Sequence, residues 1–322
     1  MITGASRGLG RALAAGLARE GYDLIIDARD ATALDAAADR IRAAGGTVTA
    51  VVGDVTDPAH RAALRQAAEA AGRLNLLVNN AGTLGASPLP ALADYPPDEL
   101  RAAFEVNVIA PVALTQLMLP LLRASGGAVL NITSDAAVEA YAGWGGYGAA
   151  KAALEQASNV LAAEELALRV WWADPGDLRT DMHQLAFPGE DISDRPEPES
   201  VVPAFVRLIS ERLPSGRYRA AHLMPVILCS PTSPCPPSTR RTTRPRRAAW
   251  PATGSGCWSA AGPLGRSATT PSVRCPACCC QVTCWSSTTP ARCPPRCAPG
   301  GGWPCTSPRR CRMVRGWWNC VR

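Results

Sequence analysis

The chain has 322 residues and a formal net charge of +6, but its acidic residues and its cysteines lie in different parts. Residues 1–228 hold all 27 acidic residues and no cysteine, whereas residues 229–322 hold all 13 cysteines and no acidic residue. No apolar run reaches the length of a membrane span, and the glycine-rich start does not resemble a secretory signal, so we expect a cytoplasmic protein without a membrane partner.

Residues 1–223 alternate between apolar, strand-like runs and stretches rich in Ala, Leu, Arg and Glu. Nearly continuous apolar strands that alternate with helices predict a parallel sheet with helices on both faces and right-handed crossovers. The predicted strands are Leu24–Ala28, Thr47–Val52, Leu74–Asn79, Ala128–Thr133 and Leu168–Ala173. The predicted helices are 8–20, 31–44, 58–71, 98–123 and 145–167.

A glycine-rich turn, T-G-A-S-R-G-L-G, runs from Thr3 to Gly10 and opens the first predicted helix. Glycines at such spacing let the backbone turn tightly and approach a pyrophosphate, which then rests on the helix N-terminus. A glycine-rich turn alone is weak evidence, and an ordinary turn between a strand and a helix remains the alternative.

Further motifs follow the later strands in chain order. Gly53-Asp54-Val55 comes after the strand Thr47–Val52, and the segment 79–82 reads N-N-A-G. The others are Asn107 in V-N-V, Ser134 at the end of N-I-T-S, Tyr147 and Lys151 in Y-G-A-A-K, Asp174-Pro175-Gly176, and Thr180.

This ordered set resembles the short-chain dehydrogenase/reductase family, in the branch with T-G-x-x-x-G-x-G and Y-x-x-x-K. The resemblance covers residues 1–223 and implies one doubly wound, Rossmann-type α/β domain with three αβα layers. It implies hydride transfer between a nicotinamide cofactor and a small-molecule carbonyl or secondary alcohol, by a homodimer or homotetramer. A 3-oxoacyl-thioester reductase of fatty-acid or polyketide type, and a truncated non-catalytic NADP-binding protein, are the alternatives.

Lys151 is the only lysine in the sequence, and it follows Tyr147 by four residues. This spacing puts both side chains on one face of a helix, which would otherwise be a solvated face. A phenol is a poor base at neutral pH, and a nearby ammonium group favours its ionised form. The resemblance implies that Tyr147 is the general acid/base and that Lys151 binds the nicotinamide ribose. It also implies that Ser134 binds the substrate oxygen and that Asn107 holds a relay water.

The cofactor is expected to be NADP(H) in preference to NAD(H). An acidic residue at the end of the second strand would bind a ribose 2′-OH, whereas a nearby Arg suits a 2′-phosphate. Alignment with the family puts Ala28 at the acidic position, Arg29 beside the ribose and Asp27 pointing away; a shift by one residue would make Asp27 the reader of NAD. The cofactor contacts implied by the resemblance are Thr3, Gly4, Ser6, Arg7, Gly8, Leu9, Gly10, Arg29, Asp54, Val55, Asn80, Ala81, Gly82, Tyr147, Lys151, Pro175, Gly176 and Thr180.

Several other conspicuous residues have plainer interpretations. His60 is predicted at the surface, and so is His183, with a place in the substrate loop as its alternative. Trp171 and Trp172 are predicted in the core, with a substrate platform as the alternative. Residues 183–200 are short, acidic and Pro-rich, and are the expected substrate lid.

Both ends of the family pattern are irregular. Only Met1 and Ile2 precede Thr3, so the first strand is truncated. Residues 224–322 form a Cys-, Pro-, Arg- and Trp-rich tail without a structural period, which predicts an unstructured segment or translation in a shifted frame. Cys275, Cys278 and Cys284 have ligand-like spacing, and residues 240–247 are rich in arginine, but we expect neither a metal site nor a nucleic-acid partner.

Overall fold

The computed structural model describes residues 1–224 and two short strands near the end of the chain, Cys311–Val314 and Trp317–Cys320. The chain divides into two units, Met1–Arg240 and Arg241–Arg322. In the second unit the two short strands pair antiparallel, which differs from the expectation of a tail without any strand. The three spaced cysteines and the arginine-rich segment 240–247 lie outside the described residues.

The first unit is built on a parallel sheet, as predicted. Two strands pair on one side and four on the other, in the order β2-β1 and β3-β4-β5-β6. Ile2 joins the two groups through parallel bridges to Ile26 and Val78. The strands are β1 Leu24–Ala28, β2 Val48–Val52, β3 Leu76–Asn79, β4 Ala128–Ile132, β5 Arg169–Asp174 and β6 Gly216–Arg219.

Residues 1–3 bond to β1 on one side and to β3 on the other. Ile2 N–H donates to Ile25 O at 2.9 Å, and Thr3 N–H donates to Val78 O at 3.0 Å. The amino group of Met1 donates to Leu76 O at 2.8 Å. Burial lowers the pKa of this amino group from its ordinary 8.0 to about 5, because removing a cation from water disfavours its charged form.

Helices cover both faces of the sheet and produce three layers. One core cluster packs α1, α2 and α8 against the sheet around Ile26 and Phe205, and a second packs α3 and α5 around Leu77. Trp171 and Trp172 are buried, as predicted. The helices are α1 Gly8–Arg19, α2 Ala31–Ala43, α3 Pro58–Ala70, α4 Pro97–Phe104, α5 Ala110–Ser125, α6 Gly145–Glu164, α7 Asp181–Ala186, α8 Val202–Ser210 and α9 Ala220–Leu223.

The predicted helix 98–123 is continuous but not uniform. A π-helical turn, Glu105–Ile109, separates α4 from α5. The segment Pro97–Ser125, 29 residues long with a mean hydropathy of 1.5, meets the length and composition of a membrane span. Its buried residues Leu114 and Met118 belong to the core cluster beneath the sheet, which is the position of a core helix.

Candidate active site

The glycine turn lies against the N-N-A-G segment at the carboxyl edge of the sheet. Thr3 Oγ1 accepts hydrogen bonds from the backbone N–H groups of Asn80 and Ala81, both at 3.0 Å. The side-chain amide of Asn80 donates in return to Thr3 O at 2.9 Å and Gly4 O at 3.1 Å. Gly4, with a φ of +66°, would bring a Cβ within 2.9 Å of Ala81 Cα. The two segments therefore form one rigid edge.

The start of α1 is free to receive an anion. Its N-cap residue, Arg7, makes no side-chain capping bond, and its first turn holds no acidic residue. A Cβ at Gly10 would lie 2.3 Å from Gly4 O, so only glycine permits this closeness of turn and helix. Uncapped N–H groups at a helix start bind phosphate groups. These residues fit the pyrophosphate of a dinucleotide. Ser6 in the same turn is partly exposed, and Leu9 is buried beneath the turn.

The ends of β1 and β2 form the next part of the edge. Asp54 Oδ1 accepts hydrogen bonds from Thr56 N–H at 2.9 Å and Thr56 Oγ1 at 2.8 Å, which fixes the turn after β2. The Arg29 side chain is 75% exposed, and its Nη1 lies 3.9 Å from Asp54 Oδ2. Val55 is buried beside them. An exposed cation thus stands at the end of β1.

Asn107 is fully buried in the π-helical turn and ties this helix to the end of β3. Its amide Nδ2 donates to Thr83 O at 2.7 Å, and its Oδ1 accepts from Thr83 N–H at 3.1 Å. A Cβ at Gly82 would lie 2.9 Å from Asn107 Oδ1 and 3.6 Å from Lys151 Nζ. Asn107 and Lys151 therefore both lie on the side of Gly82 where a side chain would project.

Tyr147 and Lys151 lie in the first two turns of α6 and are both buried. Lys151 Nζ donates to Ile132 O at 2.9 Å and lies 5.6 Å from the centroid of the Tyr147 ring. Burial lowers the pKa of Lys151 to about 8. Burial raises the pKa of Tyr147 well above its ordinary value, and the carboxylates of Asp174 and Asp135 raise it further. Tyr147 is therefore protonated at neutral pH.

Ser134 follows β4 and lies on the turn against which α6 begins. Its hydroxyl donates to Asp135 Oδ1 at 3.0 Å, and the other oxygen of Asp135 accepts from Tyr141 at 2.9 Å. On the opposite side, Arg217 Nη2 donates to Ser134 O at 3.1 Å, and Arg217 Nε donates to Glu155 Oε1 at 2.9 Å. Ser134 must turn its proton away from Asp135 before it can donate to a substrate oxygen.

The segment after β5 borders the glycine turn. Thr180 caps α7 by accepting from His183 N–H at 3.2 Å, and a Cβ at Gly8 would lie 3.5 Å from its methyl group. Pro175 and Gly176 precede it, and Gly176 N–H donates to Asp174 Oδ1 at 2.9 Å. His183 is half-buried against Phe187, with ring centroids 4.9 Å apart.

An aromatic wall stands beside Tyr147. The Trp144 ring meets the Tyr147 ring edge-on at 5.8 Å and lies 6.1 Å from Phe187. Leu89 and Met182 pack against the same cluster. Within residues 1–224, no three His, Cys, Asp or Glu side chains are grouped so as to hold a metal ion.

The family model of the short chain dehydrogenases matches residues 1–191. The chain belongs to this family. As a short-chain dehydrogenase it is an oxidoreductase, and its relatives act on alcohol or carbonyl groups. The resemblance stated from the motifs is therefore confirmed, together with the Rossmann-type fold.

Two relatives and one solved structure show the degree of similarity in sequence and in fold. A sepiapterin reductase of Meriones unguiculatus is 38% identical over 200 residues, which are 58% of this chain and 76% of the relative. A rhamnolipids biosynthesis 3-oxoacyl-[acyl-carrier-protein] reductase of Pseudomonas aeruginosa is 39% identical over 175 residues, 51% of this chain and 65% of the relative. The crystal structure of a short chain dehydrogenase from Shigella flexneri 2a str. 301, complexed with NADP, has a TM-score of 0.65 at 32% identity, covering 68% of this chain and 95% of that one.

Sequence reasoning missed three residues of this dehydrogenase that touch the site. Asp135, next to Ser134, had no motif to mark it, and Arg217 reaches Ser134 only through the pairing of β6 with β5. His60 was predicted at the surface, and this prediction is wrong, because the residue is 6% exposed and bonded to Asp27. His60 lies in the first turn of α3, three residues after the N-cap Asp57. This position is typical of an exposed residue, so no local signal revealed its burial.

Proposed function

We propose that this short-chain dehydrogenase reduces a carbonyl compound with NADPH and that Tyr147 donates the proton. The observation that carries the proposal is the buried Tyr147–Lys151 pair, with Lys151 Nζ 5.6 Å from the centroid of the Tyr147 ring. Because burial and two carboxylates hold the pKa of Tyr147 above its ordinary value, its hydroxyl keeps its proton at neutral pH. That is the state needed to protonate a carbonyl oxygen, as the proposed reduction requires.

In this mechanism NADPH, when bound, supplies a hydride to the carbonyl carbon. Ser134 donates a hydrogen bond to the carbonyl oxygen after releasing Asp135, and orients it toward Tyr147. The Tyr147 hydroxyl gives its proton to that oxygen, and the negative charge left on the phenolate is stabilised by the Lys151 ammonium. Asn107 holds the end of β3 and the relay water in place. The alcohol leaves after the Tyr147 proton has been replaced from solvent.

The preference for NADPH is supported by the charges at the end of β1. Asp27 is 2% exposed, and its two oxygens are taken by Gly4 N–H and His60. These contacts leave Asp27 poorly placed to read a ribose 2′-OH, which supports the proposed NADPH preference over the alternative. Arg29 remains exposed nearby, and a 2′-phosphate would be attracted to it. The Shigella relative complexed with NADP agrees with this preference.

Other features of the enzyme follow as proposals. Residues 1–223 form the catalytic domain, located in the cytoplasm, and the remainder contributes no catalytic group. The exposed apolar side chains Ile109 on the long helix and Val160 on α6 support a homodimer or homotetramer that covers them. The substrate is a small carbonyl compound with an apolar body that suits the aromatic wall of Trp144 and Phe187. A 3-oxoacyl thioester is the second candidate, favoured by the Pseudomonas relative.

Binding is tested first, by melting the protein with NADPH or NADH. We expect NADPH to raise the melting temperature more than NADH, and Arg29→Ala to remove the difference. Stabilisation by NADH alone would contradict the preference.

Turnover is then measured on a panel of ketones, aldehydes and 3-oxoacyl thioesters. Tyr147→Phe should lower kcat by at least about a hundredfold, whereas Tyr22→Phe, a change of the same size on the far side of the domain, should not. Equal activity of the two variants would exclude Tyr147 as the acid.

A further inference from the structure

A buried Asp–His pair lies directly beneath the glycine turn, and the proposed reaction does not use it. His60 Nε2 and Asp27 Oδ2 are 3.0 Å apart, and the two side chains are 5% and 3% exposed. Asp27 belongs to β1 and His60 to the first turn of α3. Aspartate is rarely buried without a partner, because an unpaired buried charge is very costly. Removing either member of the Asp27–His60 pair should therefore be costly for the protein.

The second oxygen of Asp27 is bonded to the cofactor edge itself. Gly4 N–H donates to Asp27 Oδ1 at 2.7 Å, a short bond to a charged acceptor. Gly4 has a φ of +66°, a left-handed conformation that glycine adopts far more readily than other residues. Through this bond, the carboxylate fixes the conformation at the beginning of the glycine turn.

The other face of His60 touches the turn after β2. A Cβ placed on Gly53 would lie 2.1 Å from His60 Nδ1, so the imidazole is pressed against the backbone of Gly53. Gly53 immediately precedes Asp54 and Val55, and Asp27 immediately precedes Ala28 and Arg29. One imidazole–carboxylate pair thus contacts all three chain segments that surround the adenosine side of the proposed cofactor site.

We propose that Asp27 and His60 are positioning residues that set the spacing of these three segments and thereby the affinity for NADPH. The proposal rests on the proposed NADP(H) binding. His60 orients the Asp27 carboxylate, the carboxylate holds Gly4, and the imidazole separates the end of β1 from Gly53. Loss of His60 would leave the buried Asp27 Oδ2 without a partner, and the carboxylate would no longer be held in the orientation that accepts from Gly4 N–H.

The experiment uses full-length chains and measures three quantities: the Kd for NADPH by fluorescence titration, the KM and kcat, and the melting temperature. His60→Leu removes the hydrogen bond and His60→Asn shortens the side chain while keeping it polar. His60→Gln retains a nitrogen donor at the distance of Nε2. Leu64→Ala is the matched control, because Leu64 lies one turn further along the same helix, is fully buried and packs in the core cluster around Leu77.

We expect His60→Leu and His60→Asn to raise the Kd and the KM for NADPH about tenfold, with a much smaller fall in kcat. His60→Gln should recover most of the affinity. Leu64→Ala should lower the melting temperature with an unchanged Kd. If His60→Leu does not fold, His60→Asn decides the question.

A purely structural pair would give a different pattern. The proposal is overturned if His60→Asn or His60→Leu melts earlier but binds NADPH as the parent does, or if His60→Gln is as weak as His60→Leu. A parent protein that does not bind NADPH at all overturns the proposed function as well. Because the parent is titrated in the same experiment, the two failures are distinguishable.

Discussion

At the scale of single residues, Lys151 occupies a buried site in which the size of the side chain matters as much as its charge. It is 3% exposed, its Nζ donates to Ile132 O, and a Cβ at Gly82 would lie only 3.6 Å from that Nζ. A planar guanidinium needs more room than an ammonium group. The sole lysine of a chain that otherwise uses arginine is thus explained by the cavity that it fills.

Lys151→Arg should therefore lower kcat by at least about a hundredfold while keeping the positive charge. The guanidinium cannot occupy the ammonium position next to Gly82, so Tyr147 loses its stabilising cation. The measurement is kcat at saturating NADPH and substrate, with the melting temperature as the control for folding. A folded Lys151→Arg protein with parental kcat would show that the charge alone suffices.

Asp135 is expected to oppose the ionisation of Tyr147. Its carboxylate raises the pKa of Tyr147, after burial and Asp174. The oxidation of an alcohol requires the phenolate, so removing this charge in Asp135→Asn should shift the pH profile of oxidation toward lower pH. At pH 7 the rate of oxidation should rise roughly threefold.

The matched control is Asp177→Asn, which neutralises an exposed carboxylate that lies 3.9 Å from Arg195. Its pH profile should stay where the parent's is. An Asp135→Asn profile that is unchanged or shifted to higher pH would contradict the electrostatic effect of Asp135.

Local spacing predicted the residues whose partners are close in sequence. Tyr147 and Lys151 share a helix face, and Gly4, Gly8 and Gly10 open a helix, as the pattern indicated. The burial of His60 could not be predicted, because its partner Asp27 lies 33 residues earlier and on another element. A buried polar pair is decided by tertiary packing, which a pattern of single residues does not contain.

At the scale of elements, strand and helix positions followed the hydrophobic pattern closely, but the π-helical turn at Asn107 did not. The sequence around it, Glu105–Ile109, is as compatible with an α-helix as its flanks. The extra residue in that turn is selected by the contact of Asn107 with Thr83, a long-range hydrogen bond. Such turns are frequent at functional sites, so the site and not the local sequence explains it.

The buried amino group of Met1 predicts a pH-dependent stability. The pKa of the Met1 amino group is about 5 in the folded protein, against an ordinary 8.0. Between these values the unfolded chain binds the additional proton, so the free energy of unfolding should fall as the pH is lowered from 8 to 5. The full effect of this group is about 4 kcal/mol, and urea unfolding at several pH values measures it.

A variant with three valines placed before Met1 is the control for that prediction. It moves the amino group away from Leu76 and should lose this part of the pH dependence. Equal slopes for the two proteins between pH 5 and 8 would mean that the Met1 amino group remains hydrated.

For the whole molecule, the alternation of strands and helices was sufficient to predict a parallel sheet with helices on both faces, and the family resemblance added its doubly wound order. The described core residues all lie between Met1 and Leu223. We therefore expect a chain that ends at Arg240, the last residue of the first unit, to melt at the same temperature as the full chain and to bind NADPH equally well. A lower melting temperature would show that residues 241–322 stabilise the domain.

The sheet consists of two groups of strands joined through Ile2, and this has a consequence for cooperativity. Three residues connect β1 with β3, so amide hydrogens on either side of Ile2 should exchange with solvent by a sub-global opening that leaves each group of strands folded. The glycine turn starts on one side of this joint and the N-N-A-G segment on the other. A dinucleotide bound to both segments would hold the two groups of strands together. Amide hydrogen exchange in both groups of strands should therefore slow together when NADPH is added.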